Sequence, residues 1–113
     1  MNRTIHRGET KLIRIKASDI DSPVTDIADI VFTITQGQTV TKLSLSDFTY
    51  VSEPEAMYQY RISQEMSLSW EETCRRGKYL RMNMIWILHN GMRKESSDKV
   101  FEILPTKHNE VMT

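Results

Sequence analysis

The clearest signal in the chain is a period of two. In "YLRMNMIWIL", Leu80, Met82, Met84, Trp86 and Leu88 occupy alternate positions, as a strand with one buried face requires. Tyr79, Ile85 and Ile87 fall on the opposite face, which a sandwich strand ordinarily gives to water. That second face needs a cover, either an element of the same domain or a partner molecule. "IADIVFTIT" alternates as cleanly, with Ala28, Ile30, Phe32 and Ile34 against Asp29, Val31, Thr33 and Thr35. "TKLIRIKA" (10–17) and "MYQYRIS", with Tyr58, Tyr60 and Ile62 on one face, complete the strong strand segments. "TIH" reads as the start of the same strand as "TKLIRIKA", interrupted at Arg7-Gly8 where glycine can supply a bulge.

Turn chemistry separates these runs. "SDIDSPVTD" is a connection fixed by Pro23, "GQ" at 37–38 reverses the chain, and "EPEA" at 53–56 is another turn. Between the last two, "TVTKLSLSDFTYV" supplies one or two strands. The period then changes. Met66, Trp70 and Cys74 follow one another at spacings of four, which sets them along one side of a helix of two to three turns. Ser69 and Glu72 have capping-box spacing, although Ser63 offers an earlier start, and Gly77 suits the C-terminus. "HNGM" lies between "YLRMNMIWIL" and "KVFEIL", and Asn90-Gly91 is the signature of a two-residue hairpin loop. Five to seven strands and one brief helix predict an all-β antiparallel sandwich.

Composition narrows the function classes. At 113 residues the chain forms one domain, with a core over about 4–104 and a polar tail at 105–113. Fifteen basic residues balance fifteen acidic ones, which argues against a nucleic-acid module. The local cluster Arg75, Arg76, Lys78 and Arg81 reads as a solvated face. A single cysteine excludes an intrachain disulfide. The polar N-terminus has no signal-peptide core, and no apolar run approaches a membrane span, so synthesis in the cytoplasm is expected.

Catalytic and metal-binding patterns are thin. His6, His89 and His108 are far apart and lack paired ligand spacings. Asp19, Asp21, Asp26 and Asp29 could offer oxygen ligands, but the stretch lacks the glycine and glutamate of a calcium loop and has the residues any turn prefers. Cys74 falls on an apolar stripe with no base placed beside it, so it reads as inert. Glu71 and Glu72 are adjacent and project to different sides of a helix. The residues point to no enzyme, no cofactor and no metal.

Taken in order, the segments resemble a family of small immunoglobulin-like modules in phage and prophage structural proteins. "TIHRGETKLIRIKASD" is similar to their opening, in which Arg-Gly-acid-Thr precedes an alternating strand. "TDIADIVFTIT" resembles their second strand, and "YRISQEMSLSWEET" with "GKYLRMNMIWILHNGMRKESSDKVFEIL" resembles their closing half. The best-described members of that family are the N-terminal domains of phage baseplate upper proteins. The resemblance implies an immunoglobulin-like β-sandwich of about seven strands with one short helix before the C-terminal hairpin. It implies a free-standing, non-enzymatic tail or baseplate component that ends in the virion and works by contact with other virion proteins or with itself. Tyr79, Ile85 and Ile87 are then the candidate interface. The alternative from another class is a carbohydrate- or ligand-binding module, with Tyr50, Tyr58 or Tyr79 stacking on sugar rings.

Overall fold

The computed structural model describes residues 3–73 and 78–112. Nine strands are present among them: β1 (Arg3–His6), β2 (Lys11–Lys16), β3 (Ile27–Gln36), β4 (Thr39–Ser44), β5 (Thr49–Val51), β6 (Met57–Ile62), β7 (Leu80–Leu88), β8 (Arg93–Glu95) and β9 (Lys99–Leu104). The larger sheet runs β1-β9-β7-β3-β4, with β8 also paired to β7, and the smaller runs β2-β6-β5. Alternation places the core between them. Ile30, Phe32, Ile34, Leu80, Met82, Met84, Trp86 and Leu88 face inward from the large sheet, and Ile15 and Ile62 face inward from the small one. Phe32, Phe48 and Tyr60 form an aromatic chain across the gap, with ring centroids 6.0 and 5.8 Å apart.

The partition of strands identifies the architecture. β2, β6 and β5 form one layer, and β3, β7 and β9, extended by β4, form the other, the arrangement of an immunoglobulin-like β-sandwich. The first strand lies parallel to the last, Ile5 opposite Ile103.

Three sequence expectations change here. "TIH" and "TKLIRIKA" are separate strands in different sheets, because the chain crosses between layers at Arg7-Gly8, where Gly8 has φ +86°. Ala28 is exposed and Ile27 buried, since a register shift between Ile27 and Asp29 reverses the alternation at that end of β3. The Asn-Gly loop is longer than two residues. Gly91 N–H donates to Leu88 O (2.9 Å) and Leu88 N–H to Met92 O (2.9 Å), which encloses His89, Asn90 and Gly91. Of these three, Gly91 alone has positive φ, at +89°, so the loop is a type I turn closed by a glycine bulge. The short β8 follows, and β9 pairs with the other half of β7.

The helical segments are also differently placed. "ASDI" forms a single turn, α1 (Ala17–Ile20), whose Asp19 accepts from Lys16 N at 2.8 Å, and Ile20 and Val24 drop into the core. A helix follows β6 directly, α2 (Gln64–Leu68), capped by Ser63, whose hydroxyl accepts from Met66 N at 3.1 Å. Ser69 is its C-cap and so does not start a helix. Cys74, Arg75, Arg76 and Gly77 lie outside the described residues, so the predicted Met66–Trp70–Cys74 stripe is seen only at Met66 and Trp70, both packed at the core.

The connection from α2 to β7 is pinned by buried polar side chains. Gln36 Nε2 donates to Glu71 O (2.7 Å) and Lys78 O (3.1 Å), while its Oε1 accepts from Glu71 N (2.8 Å). Thr73 Oγ1 donates to Lys78 O (3.0 Å) and accepts from Ile103 N (2.9 Å). Ser67 Oγ donates to Glu9 O (2.9 Å), which ties α2 to the crossover after β1. Arg7 adds Nη2 to Leu68 O at 2.6 Å. The polar tail is held as well: Gln64 exchanges two bonds with the Met112 backbone, and Arg7 Nη1 donates to Asn109.

Two outcomes follow from these contacts. Gln36→Leu removes the partner of the Glu71 N–H and of the Glu71 carbonyl, while Lys78 O keeps its bond from Thr73, and is expected to lower unfolding free energy by about 2–3 kcal/mol in a denaturant titration. At Gly91 a Cβ meets nothing within 4 Å, so any cost of substitution is backbone conformation alone. Gly91→Val should cost about 1–2 kcal/mol, and Gly91→Asn clearly less, because Asn tolerates positive φ. Equal melting temperatures for the two variants would contradict this loop geometry.

Candidate interface

Among the described residues, no element of the chain packs over the whole second face of β7. Register sets Val31, Ile85 and Glu95 side by side across β3, β7 and β8, and sets Asp29, Ile87 and Arg93 in the next such row. All six lie on the outer face of the large sheet, because their inward neighbours Ile30, Trp86 and Lys94 take the other side of the pleat. Val31 and Ile87 are each 38% exposed and Ile85 is half-buried. The result is a small apolar strip, slightly dished around Val31, Ile85 and Ile87. An acid borders it at Asp29, on the β3 side, and a base at Arg93, on the β8 side. α2 does not reach this face, since its contacts are to Glu9, Arg7 and the tail at the Leu80 end of the sandwich.

Tyr79 does not join the strip. It shares the outer side of the strand line and is 40% exposed, but it stands about 20 Å from Ile85 along the strand. Arg81 and Asn83 separate them. Val31 completes the strip instead. It was legible as an outward residue of its own strand, but the pairing of β3 with β7 was not.

Of the tyrosines of the ligand-binding alternative, two come together and the third does not. Tyr50 and Tyr58 pair edge to face at 5.5 Å on the small sheet, and Tyr79 lies on the large one. The acidic stretch does not converge either. Asp19 caps α1, Asp29 accepts from Ile30 N at 2.8 Å, Asp21 ends α1 in the left-handed region and Asp26 lies in the 3-10 turn before β3. Among the described residues, no three of His, Cys, Asp and Glu come together as a metal site would need. His6 pairs loosely with Glu9, and His89 N–H donates to Asp26 O at the hairpin tip.

No protein-family profile matches this chain, and no curated protein does. Among solved structures the chain is similar to murine CRIg, with a TM-score of 0.43 across 94% of this chain and 92% of that one, at 10% identity.

The exposure of the strip has a direct consequence for stability. The double variant Ile85→Thr/Ile87→Thr keeps β-branching on the strand and removes methyl groups that already meet solvent. It is expected to remain folded, with a loss of no more than about 1–2 kcal/mol. Thermal melts followed by circular dichroism check this, and unfolding at ambient temperature would mean that the face is buried.

Proposed function

We propose that the protein is a non-enzymatic structural component of a phage or prophage tail or baseplate that works by protein–protein contact, a second copy of the chain covering the outer strip. The observation that carries the reading is the uncovered Val31–Ile85–Ile87 strip on the most extensively paired strand of the fold. A rigid central strand is a good platform for a contact surface, because ordering it on binding costs little further entropy.

The charges choose the occupant. Asp29 and Arg93 flank Ile87 on opposite sides, each one strand away. A two-fold axis laid along β7 over Ile85 and Ile87 brings Asp29 of one copy over Arg93 of the other, stacks Ile85 and Ile87 on their counterparts between them, and sets Val31 over Glu95 of the other copy. That is a self-complementary patch of the kind an isologous dimer uses. The Arg7-Gly8-Glu9 motif, which carries the family resemblance, supports the structural part of the reading. Arg7 and Glu9 each bond α2, and Gly8 lies directly under Leu68, so all three hold the layers together.

Sedimentation tests the contact. The wild type is expected to form a concentration-dependent dimer, and Ile85→Thr/Ile87→Thr to sediment as a folded monomer. Asp29→Arg alone should weaken the dimer at least tenfold, and Asp29→Arg/Arg93→Asp should restore it. A wild type that stays monomeric at millimolar concentration overturns self-association through this face. The virion assignment is checked separately by the genes flanking the coding sequence, where portal and tail genes are expected. A neighbourhood without them removes that assignment and leaves the contact surface as it is.

A further inference from the structure

The small sheet has a free edge where immunoglobulin-like sandwiches often place their first strand. β2 pairs with β6 on one side, and no strand pairs with its other side among the described residues. In the constant-type sandwich the first strand fills that position. Here β1 lies against β9 in the other sheet, because the chain crosses layers at Gly8. The consequence is a cleft of about 290 Å³ between the sheets. Lys11, Leu12, Ile13, Arg14 and Ile15 all line it, and five consecutive residues of a strand can do so only if the cleft follows the strand's backbone edge. Phe32, Met82, Met84 and Phe101 form its apolar floor.

The mouth of this cleft is basic. Pairing registers direct Arg3 and Lys99 to the inner side of the large sheet beside Phe101, and Lys11 to the inner side of the small one. Lys11 Nζ sits 5.4 Å from the centre of the Phe101 ring. Arg14 adds a fourth cation on the rim, and the one acid there, Asp19, is engaged with the Lys16 N–H.

We propose that the β2 edge and this cleft form a strand-acceptor site for an extended segment of another protein, with apolar and acidic residues sharing the side it turns to the cleft. Main-chain bonds to the free edge would supply the pairing, the apolar side chains on the cleft-facing side of the segment would sit over Phe32, Met84 and Phe101, and carboxylates on that same side, at the mouth, would meet Arg3, Lys11 and Lys99. A second copy is a poor occupant of this edge. Two β2 strands paired antiparallel bring Lys11, Arg14 and Lys16 of each copy beside those of the other with no acid in either strand, and like charges brought together across a strand pair are destabilising. The chain's own tail is engaged elsewhere, on Gln64 and Arg7. This surface is separate from the outer strip, and the proposal stands or falls independently of the dimer and the virion assignment.

Three capped seven-residue peptides test it on the full chain. One has glutamate, valine, valine and glutamate at every second position with serine between them, the second has lysine in place of glutamate, and the third is the glutamate peptide with the amides of one strand edge N-methylated on alternate residues. Resonance shifts and amide exchange of Lys11–Lys16 are the readouts. The glutamate peptide is expected to slow exchange of the edge amides at least tenfold and to bind at least tenfold more tightly than the lysine peptide. The methylated peptide, which keeps every charge, should lose most of that binding. Arg3→Glu/Lys99→Glu should invert the preference between the first two peptides, and the methylated arm on the wild type decides the matter if that variant does not fold. Equal binding of the methylated peptide reduces the site to charge attraction and overturns the proposal. So does the absence of any response at millimolar peptide. Protection of the β2 amides that grows with protein concentration, without peptide, makes a second copy the occupant and also overturns it.

Discussion

Gln36, Ser67 and Thr73 are buried polar residues, and all three hold backbone of the α2–β7 connection or of the turn before β2. The rest of the sandwich depends on that attachment. The connection closes one end of the core with Trp70, delivers the chain into the central strand β7 at Leu80, and joins the last strand through the Ile103 N–H. In an apolar surrounding such bonds gain strength, and each broken one leaves a group that water cannot reach. Antibody domains clamp their two sheets with a disulfide between facing strands. This chain has one cysteine and no such clamp, so the layers are joined by side chain to backbone bonds, by the aromatic bridge through Phe48, and by the crossover at Arg7-Gly8.

The strands were legible where burial is one-sided. In β7 and over most of β3 the inward positions read directly from the sequence, because every second residue faces a continuous core. Alternation is a local property, however, and sheet membership is not. Nothing within "TIHRGETKLIRIK" records that its first part pairs with residues almost a hundred positions away while its second pairs with β6. The bulge at Ala28 escaped for a related reason, since an extra residue on one strand shows only against its partner. Gln36 and Thr73 were invisible as structural residues. In sequence they are polar residues at a strand end and in a loop, where the ordinary expectation is solvent.

The candidate interface divides along the same line. Ile85 and Ile87 could be assigned to the outer face from spacing alone, and the structure adds Val31 through register. Tyr79 shared their parity and so looked like a neighbour. Parity fixes the side of the pleat but carries no information about distance along the strand. The open edge of β2 was beyond reach of the sequence, because it results from the first strand lying on the other layer.

The parallel pairing of β1 with β9 also bears on how the molecule is made. During synthesis the first strand emerges with its eventual neighbour still untranslated, and the large sheet cannot be finished until the last residues are free. Pairings this distant in sequence slow folding, since the loop they close must be ordered first. For that interval β1 is an unmatched edge. Its Ile5 is apolar, but Arg3 and Arg7 stand on either side of it, and charge beside a lone apolar strand residue discourages adventitious pairing with other nascent chains.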